Sequence, residues 1–190
     1  MSMQYVTPNP FFCVPDVLHL VLLAGQKTQA RALVTPQPEY AGDEWHWNEI
    51  SSENKIGALG CYPDLDEFKA ALLNFCPFGQ AGRVVPVIPA SAKNEKVEIV
   101  GIRVERLHNM TETDARAEGV EPLMLVTGKF AAPARKWKNY LGQAYCDGMN
   151  MNSAYESYQT LWTSFYGEQS WAANPWVWVV VFKLKGGLQQ

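Results

Sequence analysis

Long apolar runs are missing from this sequence. A bilayer-spanning helix needs ~20 consecutive apolar residues. The first apolar run is interrupted by Asp16 and His19, and the last, Trp176 to Phe182, is too short. No membrane partner is therefore expected. A basic start followed by a hydrophobic stretch and a small-residue cleavage site is also missing, so no secretory signal is expected. Positive charge is not in excess: 16 Lys and Arg against 19 Asp and Glu give a net charge of −3. That excludes coating nucleic acid through bulk charge, so any such contact must be local. Paired cysteines are lacking. Cys13, Cys61, Cys76 and Cys146 are scattered and form no C-x-x-C pair, which predicts free thiols in a reducing cytosol. A zinc site made from them with His19, His46 and His108 lacks the usual ligand spacings. No metal and no other cofactor is expected. Internal repeats and low-complexity tracts are absent as well.

What is present is a chain of 190 residues, 47% apolar and 18% charged. That predicts one globular domain with a sizeable core. Its most informative stretch is Leu23-Ala24-Gly25-Gln26-Lys27-Thr28-Gln29-Ala30-Arg31. An apolar segment runs into Gly25, the residue type that ends helices with φ > 0. Two cations follow, well placed to hold a phosphate or a base edge.

Pro15 and Asp16 start a helix that Gly25 ends. Thr28–Val34 reads as a short strand, stopped by Pro36 and Pro38. Trp45 and Trp47 alternate with polar residues, which fits a short strand, in an irregular region. Asp64 is an N-cap with Glu67 three residues on, and Leu65, Phe68, Leu72 and Phe75 follow at helical spacing. Arg83–Ile88 is a strand whose Pro86 suggests an edge or a bulge. Lys96–Leu107 is a stronger strand. Its apolar phase slips beside Gly101, as at a β-bulge. A short helix runs from Thr111 to Gly119. Residues 121–150 are ambiguous. Asn152 or Ser153 with Glu156 opens a helix that Gly167 closes. Pro175–Lys185 is apolar on both faces, which fits a strand buried from both sides. The mixture predicts an α+β fold, a small curved sheet or barrel with helices at its rim.

The segment Gly25-x-Lys27-Thr28-x-x-Arg31 resembles the signature of the ASCH family, which belongs to the PUA-like superfold. Further blocks resemble a phage and prophage branch of it: Pro36-Gln37-Pro38, Cys76–Gly82, Gly101–Leu107, Asp114–Val120 and Ser170–Val179. They cover roughly half the chain in the family's order. The resemblance implies a single PUA-like domain over residues 1–190. Its small β-barrel would have about five to six strands, with an insertion after the first strand at about 37–75.

The same resemblance implies two chemistries. A catalytic branch hydrolyses acylated cytidine-type nucleosides with a lysine, a threonine and a glutamate. Lys27 and Glu118 match the first and last, and Ala30 stands at the threonine position. Amide hydrolysis needs an activated nucleophile and oxyanion stabilisation, and Ala30 has no hydroxyl. Thr28 is no substitute, since two residues of extended chain advance ~6.7 Å. Threonine-route hydrolysis is therefore expected to be lost. Binding survives the change. The expected function is a module for RNA, single-stranded nucleic acid or a modified nucleoside. Its ligand would be held in a cleft by Lys27, Arg31 and Glu118, with Thr28, Arg103, Trp45, Trp47 and Trp171 as further contacts. Bland roles compete: Lys27 as a solvated charge, Arg31 paired with Glu118, Glu118 on the surface, the tryptophans as packing residues. Arg135-Lys136-Trp137-Lys138 with Tyr140 is either a nucleic-acid patch or a solvated helix face. A third class is a phage-encoded protein-interaction factor that uses residues 37–75 for a protein partner.

Overall fold

Apolar side chains on both faces commit Trp176–Lys185 to the interior of a sheet, and that is where they lie. The computed structural model describes residues 12–50, 56–88, 95–125, 134–141 and 150–185. The fold is mixed α+β, and the chain divides into two compact units.

The first unit takes in Met1–Asp16, Arg31–Glu105 and Trp176–Gln190. The five-stranded sheet runs in the order β1 (Phe12–Cys13), β6 (Val84–Ile88), β7 (Lys96–Arg106), β10 (Trp176–Lys185), β2 (Gln29–Leu33). Among the described residues it does not close into a barrel. Residues Trp176 through Val180 of β10 are all buried. The strand β6 runs parallel to β1 and antiparallel to β7. Its Pro86 pairs with Lys96 on β7, while the described residues of β1 pair with Val87 and Ile88. Along β7 the buried positions are Val97 and Ile99, then Val104. The phase slip beside Gly101 is therefore real, within one continuous strand.

The described residues between 37 and 75 fold as a sheet and a helix inside this unit. Strands β3 (Glu39–Ala41), β4 (Glu44–Ile50) and β5 (Ile56–Tyr62) are antiparallel in that order, and α2 (Leu65–Leu73) follows. Asp64 caps α2 by accepting from the backbone N–H of Asp66 and Glu67. One sheet face is aromatic. Trp45 packs on Tyr40, Phe68 and Trp176, and Trp47 on Phe75. The other face carries Glu39, Glu44, His46 and Cys61, because alternate residues point to opposite sides.

The second unit takes in Val17–Ala30 and Arg106–Pro175. Helix α1 (His19–Leu23) stops at Gly25, φ +69°. Helix α3 (Glu112–Ala117) is opened by a capping box of Thr111 and Asp114 and stopped by Gly119, φ +89°. The ambiguous region holds a hairpin, β8 (Pro122–Leu125) with β9 (Ala134–Trp137). So Arg135–Trp137 is a strand and not a helix face. Trp137 is buried, with the guanidinium groups of Arg116 and Arg135 over its ring. Helix α4 (Ala154–Tyr166) has Ser153 as its cap. Glu112 accepts from the N–H groups of Ala154 and Tyr155, joining the start of α4 to α3. Gly167 closes α4, and a short helix that the sequence pattern had not marked, α5 (Glu168–Ala172), follows. No helix among the described residues is long and apolar enough to cross a membrane.

Candidate functional site

Lys27 and Glu118 meet. Helix α3 ends with carbonyl groups that have no partner within the helix, and the strand-entry segment after α1 supplies donors. Thr28 N–H donates to Ala117 O at 2.9 Å. Lys27 Nζ donates to Glu118 O at 2.8 Å, to Gln29 O at 2.8 Å and to Glu118 Oε2 at 3.1 Å. An ammonium at a helix C-terminus also offsets the helix dipole. Gly119 makes the approach possible: a Cβ there would lie 2.9 Å from Lys27 Cβ. Both side chains of the pair are only 3% exposed.

That burial decides what the pair can do. The three protons of the ammonium each have an acceptor, which leaves no lone pair to take a proton from a nucleophile. Ala30 contributes no hydroxyl. The two charges bury each other, and each is the reason the other is tolerated in the interior.

Arg31 has a carboxylate partner other than Glu118. In the first unit its side chain is 0% exposed and donates to Glu105 Oε1 at 2.6 Å. Arg103, 40% exposed, donates to Glu105 Oε2 at 3.0 Å. One carboxylate thus holds two guanidinium groups, with the Arg103 end reaching solvent. Thr28 is exposed. Trp47 is 4% exposed and its indole N–H donates to Pro36 O at 2.8 Å, so it serves the core and offers no face to a base. Trp45 is half-buried among the aromatic residues named above.

Trp171 differs from these. It lies in the second unit, on α5, with its ring 4.8 Å from the His108 ring and 5.6 Å from that of Tyr155. His108 Nε2 donates to its backbone carbonyl at 2.8 Å. So held, it lines a cavity of about 400 Å³ with Glu156, Gln159, Thr160, Thr163 and Glu168. Asn152 bridges this wall to the basic strand: its side-chain oxygen accepts from Lys136, and its N–H donates to Glu156. Lys138 pairs with Glu121 and lies over the Tyr140 ring. Burial raises the Tyr140 phenol well above its usual range, so it stays neutral; its oxygen accepts from Glu121 N–H.

One cluster joins residues that no ligand spacing along the chain connects. Glu44, His46 and Cys61 bring a carboxylate oxygen, a ring nitrogen and a sulfur within 4.8 Å of one another. The available signal was the alternation of Glu44 and His46 with Trp45 and Trp47, which puts the two polar groups on one face.

The chain matches no protein-family model, no curated protein and no solved structure.

Proposed function

We propose that this chain is a nucleobase-binding module of the ASCH, PUA-like type, and that the base enters the cavity beside Trp171. The carrying observation is the composition of that cavity. It joins a half-buried indole to two carboxylates, an amide and two hydroxyls, with Leu141 and Met151 beside them, next to a basic strand. An aromatic face stacks a base, and the polar groups read its edge. The volume suits a small ligand such as a nucleoside. In this reading Lys27 and Glu118 position the backbone at the end of α3 and touch no ligand. Arg31 and Arg103 both hold Glu105 in the first unit and are not part of the base site. The ligand is RNA, single-stranded nucleic acid or a modified nucleoside.

The test is the affinity of labelled single-stranded RNA and DNA for the wild-type chain and for Trp171→Ala, at several salt concentrations. Loss of one stacked base costs ~1–3 kcal/mol, about five- to 150-fold in affinity. Undiminished binding by Trp171→Ala removes the cavity from the account.

The alternative reading, amide hydrolysis of an acylated cytidine, would need Lys27 to give up the ammonium proton that its three acceptors hold. Robust turnover by the wild-type chain would establish it. Turnover only after Ala30→Thr would show that the missing hydroxyl alone had silenced it.

A further inference from the structure

We propose that Glu44, His46 and Cys61 form a site for one divalent cation of the zinc class, with three protein donors and an open fourth position. The site stands apart from the nucleobase reading and needs none of its residues.

The placement follows from sheet geometry. Glu44 and His46 are two residues apart on β4 and share a face. Tyr62 pairs with Trp45 on the aromatic side, so Cys61 faces the other way, with His46. The register shifts between Trp45 and Trp47, which sets His46 opposite Gly60 and Cys61. The neighbouring strand adds Glu39, paired with His46, so a second carboxylate lends negative charge to the same face.

The distances suit the ion. His46 Nδ1 and Cys61 Sγ are 3.4 Å apart. Bonds of ~2.0 Å to nitrogen and ~2.3 Å to sulfur at a tetrahedral angle put such a pair about 3.5 Å apart. The carboxylate stands on a flexible side chain, within 4.8 Å of both. Thiolate, imidazole and carboxylate together form a donor set that zinc accepts.

The imidazole is already oriented. His46 Nε2 lies 3.0 Å from Ala41 O. A carbonyl only accepts, so the proton sits on Nε2 and the Nδ1 lone pair turns to the cluster. Ligating histidines are commonly held this way by a backbone carbonyl. The aromatic face anchors the same strands from behind, so the geometry does not wait for the metal. Cys61 is exposed, which leaves the fourth position open to water or to a donor atom of a ligand.

The experiment uses the full chain, reduced and stripped of metal with a chelator. Cobalt(II) is titrated first, then displaced by zinc. One equivalent of cobalt should produce a thiolate-to-metal charge-transfer band. Cys61→Ser should abolish that band. His46→Ala should weaken binding at least tenfold, and Glu44→Gln should weaken it less. Saturating zinc should protect Cys61 from alkylation, read by peptide mapping. Near-ultraviolet circular dichroism should be unchanged in each variant, because none touches the aromatic face. Absence of stoichiometric cobalt binding would overturn the proposal. So would a band that survives Cys61→Ser, or alkylation of Cys61 at an undiminished rate under saturating zinc.

Discussion

The Lys27–Glu118 pair and the Glu44–His46–Cys61 cluster are both compact groups of chemistry-bearing side chains, and they differ in access. The first is sealed at 3% exposure, with an acceptor for each ammonium proton. The second stands on the open face of a three-stranded sheet, its Cys61 exposed. Motif spacing directs attention to the first and passes over the second. The lesson is that residue type nominates a site, while exposed lone pairs decide whether it acts. A buried ion pair that completes a helix end is structural work, and breaking it should cost stability before it costs binding.

The comparison breaks most readily at Lys27. Lys27→Met leaves the Glu118 carboxylate buried without its ammonium, and removing one partner of a buried pair costs about 3–5 kcal/mol. Urea unfolding should show that loss. Lys27→Met with Glu118→Gln should recover part of it, since no lone charge then remains inside. A stable Lys27→Met would mean that the pair carries no structural load. His46→Ala, on the exposed face, should stay within about 0.5 kcal/mol of wild type.

Gly119→Ala probes the same contact from its other side. It asks an L-residue to hold φ +89° while its Cβ presses on the Lys27 stem at 2.9 Å. A loss of roughly 1–3 kcal/mol is expected in the same unfolding experiment. An unchanged midpoint would show that Lys27 can draw back at no cost.

Glu112 gives a smaller effect than Lys27 or Gly119. Burial raises its pKa, but the N–H groups of Ala154 and Tyr155 together with Arg116 outweigh that, and the net shift is downward. A carboxylate depressed in the folded state contributes stability above its unfolded pKa, ~4.3, and loses it as pH falls through the lower folded value. Glu112→Gln should therefore cost less than about 1 kcal/mol at neutral pH and nothing in strong acid. The acid limb of the stability curve should flatten. An identical pH profile in wild type and variant would remove Glu112 from the start of α4.

Local signals made much of the fold legible. Asp64, Thr111 and Ser153 announce helix starts because their side chains compete for backbone N–H groups, and each does so here. Gly25, Gly119 and Gly167 mark helix ends because each takes a positive φ. The two apolar faces of Trp176–Lys185 report its burial. Arg135–Trp137 was not legible. Four residues carry too little periodicity to separate a strand from a helix face, and the burial of Trp137 under two guanidinium groups depends on distant chain. The meeting of Lys27 with Glu118 was suggested by the family resemblance, yet its burial was not, because burial belongs to the packing around α3. The cluster of His46 with Cys61 depends on the register of β4 against β5, including its irregularity, which spacing along the chain does not encode.

The most direct test of the nucleobase reading follows the tryptophan indole N–H signals by nuclear magnetic resonance as nucleosides are added. The Trp171 signal is assigned from Trp171→Phe. The account predicts a saturable shift of Trp171, with Trp47 and the equally buried Trp162 of α4 unmoved. A silent Trp171 under saturating nucleoside, or equal shifts at all three, would contradict it.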